Sequence, residues 1–175
     1  FCAGLGTEHP DITNASRRIK KSEINNCKKN GIEDITEVKI GYDGIVVANS
    51  KKGVDFHLST RDLYLALAKD VPADIEGKTV KPNPYKKWNE INPTYPDLPI
   101  IVYGPPPTSG TRDALNELAI ERGCKSYPER KKLKEKNKKL YKAECRAIRT
   151  DGPYVEAGEN DNLIIEKLKT NPNSL

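Results

Sequence analysis

The residues best suited to binding a small anion are Ser109-Gly110-Thr111, at the point where a helix is predicted to begin. Two hydroxyl groups flank a glycine, which lets the backbone approach a ligand closely. The first N–H groups of a helix have no acceptor within the helix, and the helix dipole adds positive potential at that end. The sequence therefore predicts an anion site here, with ordinary helix capping as the alternative.

A buried strand and a rigid turn are expected to position this helix start. Residues 100–102 are all β-branched, which is typical of a strand, and three prolines at 105–107 fix an extended connector. Thr108 or Ser109 is the expected N-cap, and Asp113 falls in the first turn, where its charge suits the dipole. Apolar residues then recur at helical spacing as far as Gly123, which is expected to end the helix.

A second junction of this kind surrounds Ser16, which is predicted to cap a helix running to about Asn30, with Gly31 as its stop. Arg17 and Arg18 then fall in the first turn, where positive charge opposes the helix dipole. A bound anion would account for that placement, and simple exposure of both side chains to solvent accounts for it equally well.

The remaining pattern alternates strands with helices, which indicates an α/β sheet with some parallel pairing and ligands at the strand ends. The other expected elements are a strand end at residues 11–15, a strand at 37–48, a helix through about Lys69 capped within residues 58–60, an irregular segment at 71–97 pinned by Trp88, a charged helix at 129–149 and a helix capped by Asn160.

Length and composition narrow the function classes. With 175 residues, 35% hydrophobic and 31% charged, the chain can form a domain with a core, and no apolar run approaches the length of a membrane helix. The net charge of +5 suits an anion ligand without indicating a nucleic-acid-binding protein. The basic run at residues 130–139 has one acidic interruption, Glu135, and no interleaved aromatic residues, which favours a solvated helix face over a nucleic-acid interface.

The four cysteines are Cys2, Cys27, Cys124 and Cys145. No Cys-x-x-Cys pair is present, so a zinc site is not expected. The even number and the spacing predict disulfides Cys2–Cys27 and Cys124–Cys145, which would place the protein outside the cytosol; other pairings and four free thiols remain open. Because the chain opens at Phe1 without an initiator Met, a processed or truncated protein is expected.

Taken together, these junctions resemble the periplasmic phosphate-binding proteins of ABC transporters, the PstS type. The similar segments, in chain order, are a first oxyanion junction at 11–17, a strand crossing between lobes at 40–47, a helix and a Trp-Asn segment at 58–63 and 88–93, the main phosphate loop at 108–111 and a Gly-Asn helix start at 158–162. The resemblance implies an α/β periplasmic-binding-protein type II (flytrap) fold. Residues 1–40 would belong to lobe one and residues 41–175 to lobe two, with the N- and C-terminal parts of lobe one outside this chain.

The resemblance also implies a phosphate site. Its expected ligand residues are Ser16, Arg17, Ser109, Gly110, Thr111 and Arg112. Ser16, Ser109 and Thr111 would then face one cleft.

The chain departs from the family pattern at three places. Many family members have an Asp where this chain has Arg17, and an Arg and an Asp where it has Pro105 and Pro107. The cationic role is therefore expected to fall to Arg17, with Arg112 as the rival. The choice between phosphate and another oxyanion stays open.

The implied function is that of a monomeric extracytoplasmic solute-binding protein, which captures inorganic phosphate and delivers it to the membrane permease of an ABC importer. No catalysis, cofactor, metal or nucleic-acid partner is expected. A serine hydrolase or phosphatase-like enzyme using Ser109 is the alternative from another class, although the Gly-x-Ser-x-Gly elbow is lacking. A basic nucleic-acid-binding module is a third hypothesis.

Overall fold

In the computed structural model, which describes residues 1–15 and 17–175, the chain forms two compact units, Phe1–Gly44 and Ile45–Leu175. The assignment of these parts to two lobes, with a boundary after residue 40, stays a prediction. Within the described residues, no helix combines the length and the apolar character that crossing a membrane requires.

The first unit contains one helix, α1, at Lys21–Lys29. The helix begins later than predicted because the Glu23 carboxylate accepts a hydrogen bond of 2.8 Å from the backbone N–H of Lys20, which makes Lys20 the N-cap. Arg17 therefore precedes the helix, and the prediction that it lies in the first turn is wrong. The predicted stop at Gly31 is confirmed by its positive φ of 84°.

Two strand predictions are wrong. Residues 11–15 and 37–48 have no strand, and Ile40 is 95% exposed. An alternating pattern shows only that side chains could line one face. A strand also needs a neighbour for its N–H and C=O groups. Residues 37–48 span the boundary between the two units, and within either unit the structure describes no such neighbour for them or for residues 11–15.

The second unit contains two short sheets and seven helices among its elements. Its strands are β1 at Asp70–Pro72, antiparallel to β2 at Val80–Pro82, and β3 at Val102–Gly104, parallel to β4 at Tyr154–Glu156. Its helices are α2 at Thr60–Leu67, α3 at Trp88–Ile91, α4 at Gly110–Leu115, α5 at Glu121–Cys124, α6 at Pro128–Lys136, α7 at Lys138–Cys145 and α8 at Asp161–Thr170. A π-helical segment at Asn116–Ile120 joins α4 to α5.

The core of this unit lies between α2, the π-helical segment and the parallel strands. Tyr64, Leu67 and Ile120 are fully buried. Trp88 is fully buried as well, with its ring 5.2 Å from that of Phe56, so it fastens the segment between β2 and β3 to the core. Residues 71–97 were expected to be irregular, but they include most of β1 and all of β2 and α3.

Three boundaries differ from expectation. Strand β3 begins at Val102 because the N–H of Ile100 donates to the Lys86 carbonyl instead (2.8 Å). The helix does not stop at Gly123, which lies inside α5 where a side chain would overlap the Thr60 carbonyl of α2. The single helix predicted at 129–149 is two helices, because the side chain of Asn137 accepts from the N–H of Leu140 and so begins α7.

The predicted caps of two helices and both predicted disulfides are present in the structure. Ser59 accepts a hydrogen bond of 3.2 Å from the N–H of Asp62 and caps α2, and Asn160 accepts one of 3.0 Å from the N–H of Asn162 and caps α8. Both predicted disulfides, Cys2–Cys27 and Cys124–Cys145, are confirmed. Both caps join residues that are close in sequence, and the disulfides join cysteines 25 and 21 residues apart.

Candidate functional site

The candidate anion site lies where the parallel strands β3 and β4 end. Strand β3 leads through the prolines to α4, and β4 leads through Gly158 to α8. The N–H of Ala157 donates to the Gly104 carbonyl (2.9 Å), so the two chains still run side by side past the strand ends. Two helix starts therefore follow the same edge of one sheet, which is where α/β folds bind ligands.

Ser109 is the N-cap of α4, as predicted. Its Oγ accepts a hydrogen bond from the N–H of Thr111 (3.1 Å), and its carbonyl accepts one from the N–H of Asp113 (3.2 Å). Its own N–H donates to the Pro106 carbonyl (3.0 Å). The residue is 4% exposed, whereas Gly110 and Thr111 are exposed. Ser109 thus fixes the geometry of the turn, and the two residues after it face solvent.

Two N–H groups at this helix start are available to a ligand. Among the described residues, no acceptor is found for the backbone N–H of Gly110 or of Arg112. Both belong to the first turn, where the helix itself offers no acceptor. With the exposed Thr111 hydroxyl, they form a set of donors suited to the oxygen atoms of an anion.

Arg112 adds a fixed positive charge beside these donors. Its side chain is largely buried, with the residue 8% exposed, and its guanidinium carbon lies 4.3 Å from the centroid of the Tyr154 ring. Its Nη1 donates to the Pro105 carbonyl at 3.0 Å, and the Tyr154 hydroxyl donates to the same oxygen at 2.7 Å. No ion pair with a carboxylate is found for Arg112 within the described parts of the chain. The guanidinium charge is thus held in place by neutral groups.

Tyr154 is the residue that sequence reasoning missed. It lies at the start of β4, and burial raises the pKa of its hydroxyl group, although the nearby Arg112 acts in the opposite direction. Its ring occupies the space where a side chain at Gly104 would be, which requires a glycine there. No local pattern could reveal this contact, because it depends on β4 pairing with a strand about fifty residues earlier.

The comparisons with known proteins place the chain in a family. A family model described as a PBP superfamily domain matches residues 2–170. This chain belongs to the PBP superfamily. Its α/β architecture is that of the periplasmic-binding-protein fold, of which it represents a part.

Several curated relatives are similar to this PBP superfamily chain. Protein SphX of Synechococcus elongatus is 35% identical over 122 residues, which cover 70% of this chain and 32% of the relative. The phosphate-binding protein PstS of Staphylococcus saprophyticus is 31% identical over 114 residues, which cover 65% of this chain and 31% of the relative. The chain thus spans about a third of the length of these relatives. No solved structure matches it.

Two predicted site residues lie in the first unit of this PBP superfamily chain. Ser16 lies outside the described residues, so its shared cleft with Ser109 and Thr111 stays a prediction. Arg17 forms two hydrogen bonds with the Glu23 carboxylate, of 3.0 and 2.7 Å. These bonds lower the pKa of Glu23 from 4.5 to about 2. Since α1 begins at Lys21, the dipole argument for an anion at Arg17 no longer applies, and its role as a ligand stays a prediction.

The contacts of Ser109 bear on the hydrolase alternative. Its Oγ is occupied as a helix cap, and His57 of the same unit is 88% exposed at the side chain, 3.6 Å from Asp55. The structure gives Ser109 no general base within the described part of its unit. Over the described residues, no group of three or more His, Cys, Asp or Glu is arranged to hold a metal.

Proposed function

We propose that this chain is the anion-binding part of an extracytoplasmic solute-binding protein that captures inorganic phosphate and delivers it to an ABC-type importer. The observation that carries the proposal is the exposed start of α4, where two N–H groups have no acceptor among the described residues and Arg112 of the same turn holds its guanidinium against the Pro105 carbonyl. The relatives named phosphate-binding protein support the choice of phosphate.

The proposed chemistry is binding without a covalent step. Oxygen atoms of the anion accept hydrogen bonds from the N–H groups of Gly110 and Arg112 and from the Thr111 hydroxyl, while Ser109 holds the turn. Each hydrogen bond to a charged group contributes about 1.5–3 kcal/mol. A desolvated phosphate also needs a cation, because burying its charge alone costs several kcal/mol. Arg112 supplies that charge in our proposal.

Ser16 and Arg17 complete the proposed ligand set. They come from the resemblance to phosphate-binding proteins, and a test by substitution is needed for each. Arg17 has a carboxylate neighbour in Glu23, so an anion bound to Arg17 would compete for the same guanidinium. If Arg17 binds phosphate, saturating phosphate should raise the pKa of Glu23 from about 2 toward its ordinary value.

The proposed setting is extracytoplasmic. Two disulfides are typical of proteins in an oxidising compartment. The proposed partners are inorganic phosphate and the membrane permease of the importer. We further propose that the protein acts as a monomer, without catalysis, cofactor or nucleic acid.

Calorimetric titration of the chain with phosphate, sulfate and arsenate tests this function. We expect one phosphate per chain, competition by arsenate, and no hydrolysis of a phosphate ester. Thr111→Val should weaken binding because it removes one donor, whereas Thr108→Val, three residues earlier in the exposed turn, should have little effect. Equal binding of sulfate would assign the site to another oxyanion, and turnover that Ser109→Ala abolishes would assign it to a hydrolase.

A further inference from the structure

The positive charge of the chain is concentrated in one helical hairpin, formed by α6 and α7 and called here the lysine hairpin (residues 128–145). It contains eight basic and three acidic residues, a net charge of +5 that equals the net charge of the whole chain. The other residues are therefore neutral as a group. A charge distribution of this kind marks a surface for an anionic partner.

The outward positive charges of the hairpin are all lysines, with Glu135 exposed among them and Glu129 paired with Lys132 at 2.7 Å. Its one arginine, Arg130, is 6% exposed, forms an ion pair with Glu144 and donates to the Lys78 carbonyl at 2.7 Å. The exposed lysines are Lys131, Lys132, Lys134, Lys136, Lys138, Lys139 and Lys142. Lysine is a point charge on a flexible stem, which suits a diffuse anionic surface better than one rigid phosphate group.

The hairpin is held to the rest of its unit by covalent and polar contacts, so its exposed lysines need no conformational change to meet a partner. The Cys124–Cys145 disulfide joins the residues at its base. Tyr141 is 1% exposed, and its hydroxyl donates to the buried carboxylate of Glu121 at 3.3 Å. Arg130, near the start of α6, pairs with Glu144, near the end of α7, so the helices are antiparallel. Lys134 lies beside these anchors, 3.7 Å from Glu121, and the other six lysines are exposed to solvent.

We propose that the lysine hairpin docks on the anionic surface of a lipid bilayer. Several lysines close together attract anionic headgroups additively, and Leu140, which is 43% exposed among them, can enter the interface. Single-stranded nucleic acid fits less well, because the only aromatic residue in the hairpin, Tyr141, is buried and cannot stack on bases.

Docking by the hairpin leaves the anion site free. The helical run from Gly110 to Cys124 separates the two, and at about 1.5 Å per residue it is roughly 20 Å long. The anion site lies at the beginning of this run, and the hairpin follows its end. Membrane docking is therefore independent of the proposed phosphate binding.

Sedimentation of the chain with lipid vesicles tests the proposal. We expect binding to vesicles of equimolar phosphatidylcholine and phosphatidylglycerol, release by added salt, and no binding to phosphatidylcholine alone. Each lysine near such a surface contributes about fivefold in affinity, so the triple variant Lys131→Gln/Lys138→Gln/Lys139→Gln should bind about a hundredfold more weakly. Leu140→Ser should weaken binding by a further factor of about four, because it removes apolar area from the interface.

The matched control is Lys51→Gln/Lys52→Gln/Lys81→Gln, which changes the net charge by the same amount at exposed positions outside the hairpin. It should bind vesicles like the parent chain. Equal losses in the two triple variants would overturn the proposal, because net charge alone would then explain the binding. Tighter binding to duplex DNA than to the anionic vesicles, at the same salt concentration, would overturn the choice of a bilayer. Phosphate titration of both triple variants should match the parent.

Discussion

Replacing Arg112 by Ala separates its contribution to stability from its proposed role in phosphate binding. The substitution removes a cation–π contact with Tyr154 and a hydrogen bond to the Pro105 carbonyl. A cation–π contact is worth about 0.5–2 kcal/mol, and a hydrogen bond from a charged donor about 1.5–3 kcal/mol. Because the buried charge also costs desolvation, we expect a net loss of about 1–3 kcal/mol in the free energy of unfolding.

The expected loss in phosphate affinity is larger. Removing one member of a buried charge pair costs about 2–5 kcal/mol, so Arg112→Ala should bind phosphate at least about 30-fold more weakly. Calorimetry measures the affinity, and urea denaturation without phosphate measures the stability. Arg112→Lys should recover part of the affinity, because it restores the charge without the planar group that lies on the ring.

Matched variants distinguish charge at the site from charge in general. Arg122→Ala removes the same charge from an exposed position in α5 and should bind phosphate like the parent chain. Tyr154→Phe keeps the ring under Arg112 and loses only the hydroxyl hydrogen bond, so it should cost about 1 kcal/mol in stability with little change in affinity. If Arg112→Ala binds phosphate normally while Arg17→Ala does not, the cation is Arg17, and our argument from the Tyr154 contact is refuted.

Three further predictions concern the frame around the site. Gly123→Ala should lower the free energy of unfolding by about 1–3 kcal/mol because a methyl group would meet a carbonyl of α2, whereas Gly41→Ala, in open space, should change it by less than about 0.5 kcal/mol. Replacing Cys124 and Cys145 together by Ser should cost about 3 kcal/mol in urea denaturation, since the disulfide closes a loop with a sequence separation of 21. Burial favours the protonated form of Glu121, but hydrogen bonding and charge from its basic neighbours outweigh it and lower its pKa below 4.5. The contribution of the Glu121 carboxylate to the free energy of unfolding is therefore complete above its pKa in the unfolded chain and is lost as the pH falls through its pKa in the folded protein. Glu121→Gln should therefore make the free energy of unfolding less dependent on acid pH.

Each of these has an outcome that contradicts it. Equal stability of the two glycine variants would show that the helices can separate without cost. An unchanged urea midpoint in the double cysteine variant would show that the disulfide does not constrain the unfolded chain. A Glu121→Gln variant that loses stability with acid as steeply as the parent would place the responsible carboxylate elsewhere.

The features that the sequence alone determined depend on neighbours within a few residues or on cysteine spacing. Ser109 and Asn160 cap their helices through the N–H groups two residues later, so the residue type and its position are sufficient to predict the contact. The disulfides join cysteines 25 and 21 residues apart, and the even number and spacing of the cysteines were enough to predict them. The order of motifs was enough to predict the α/β periplasmic-binding-protein fold.

Tertiary structure decided the features that depend on distant partners. A stop at Gly123 and a helix interior that needs a small residue look the same in sequence, and only the approach of α2 distinguishes them. The segment at 37–48 has a strand pattern, but within either unit no described neighbour completes a ladder with it. Arg112 could be proposed as a cation from its position, but its orientation depends on Tyr154, which reaches it through the parallel pairing of β3 with β4. Such contacts arise from packing between distant segments, which no local pattern encodes.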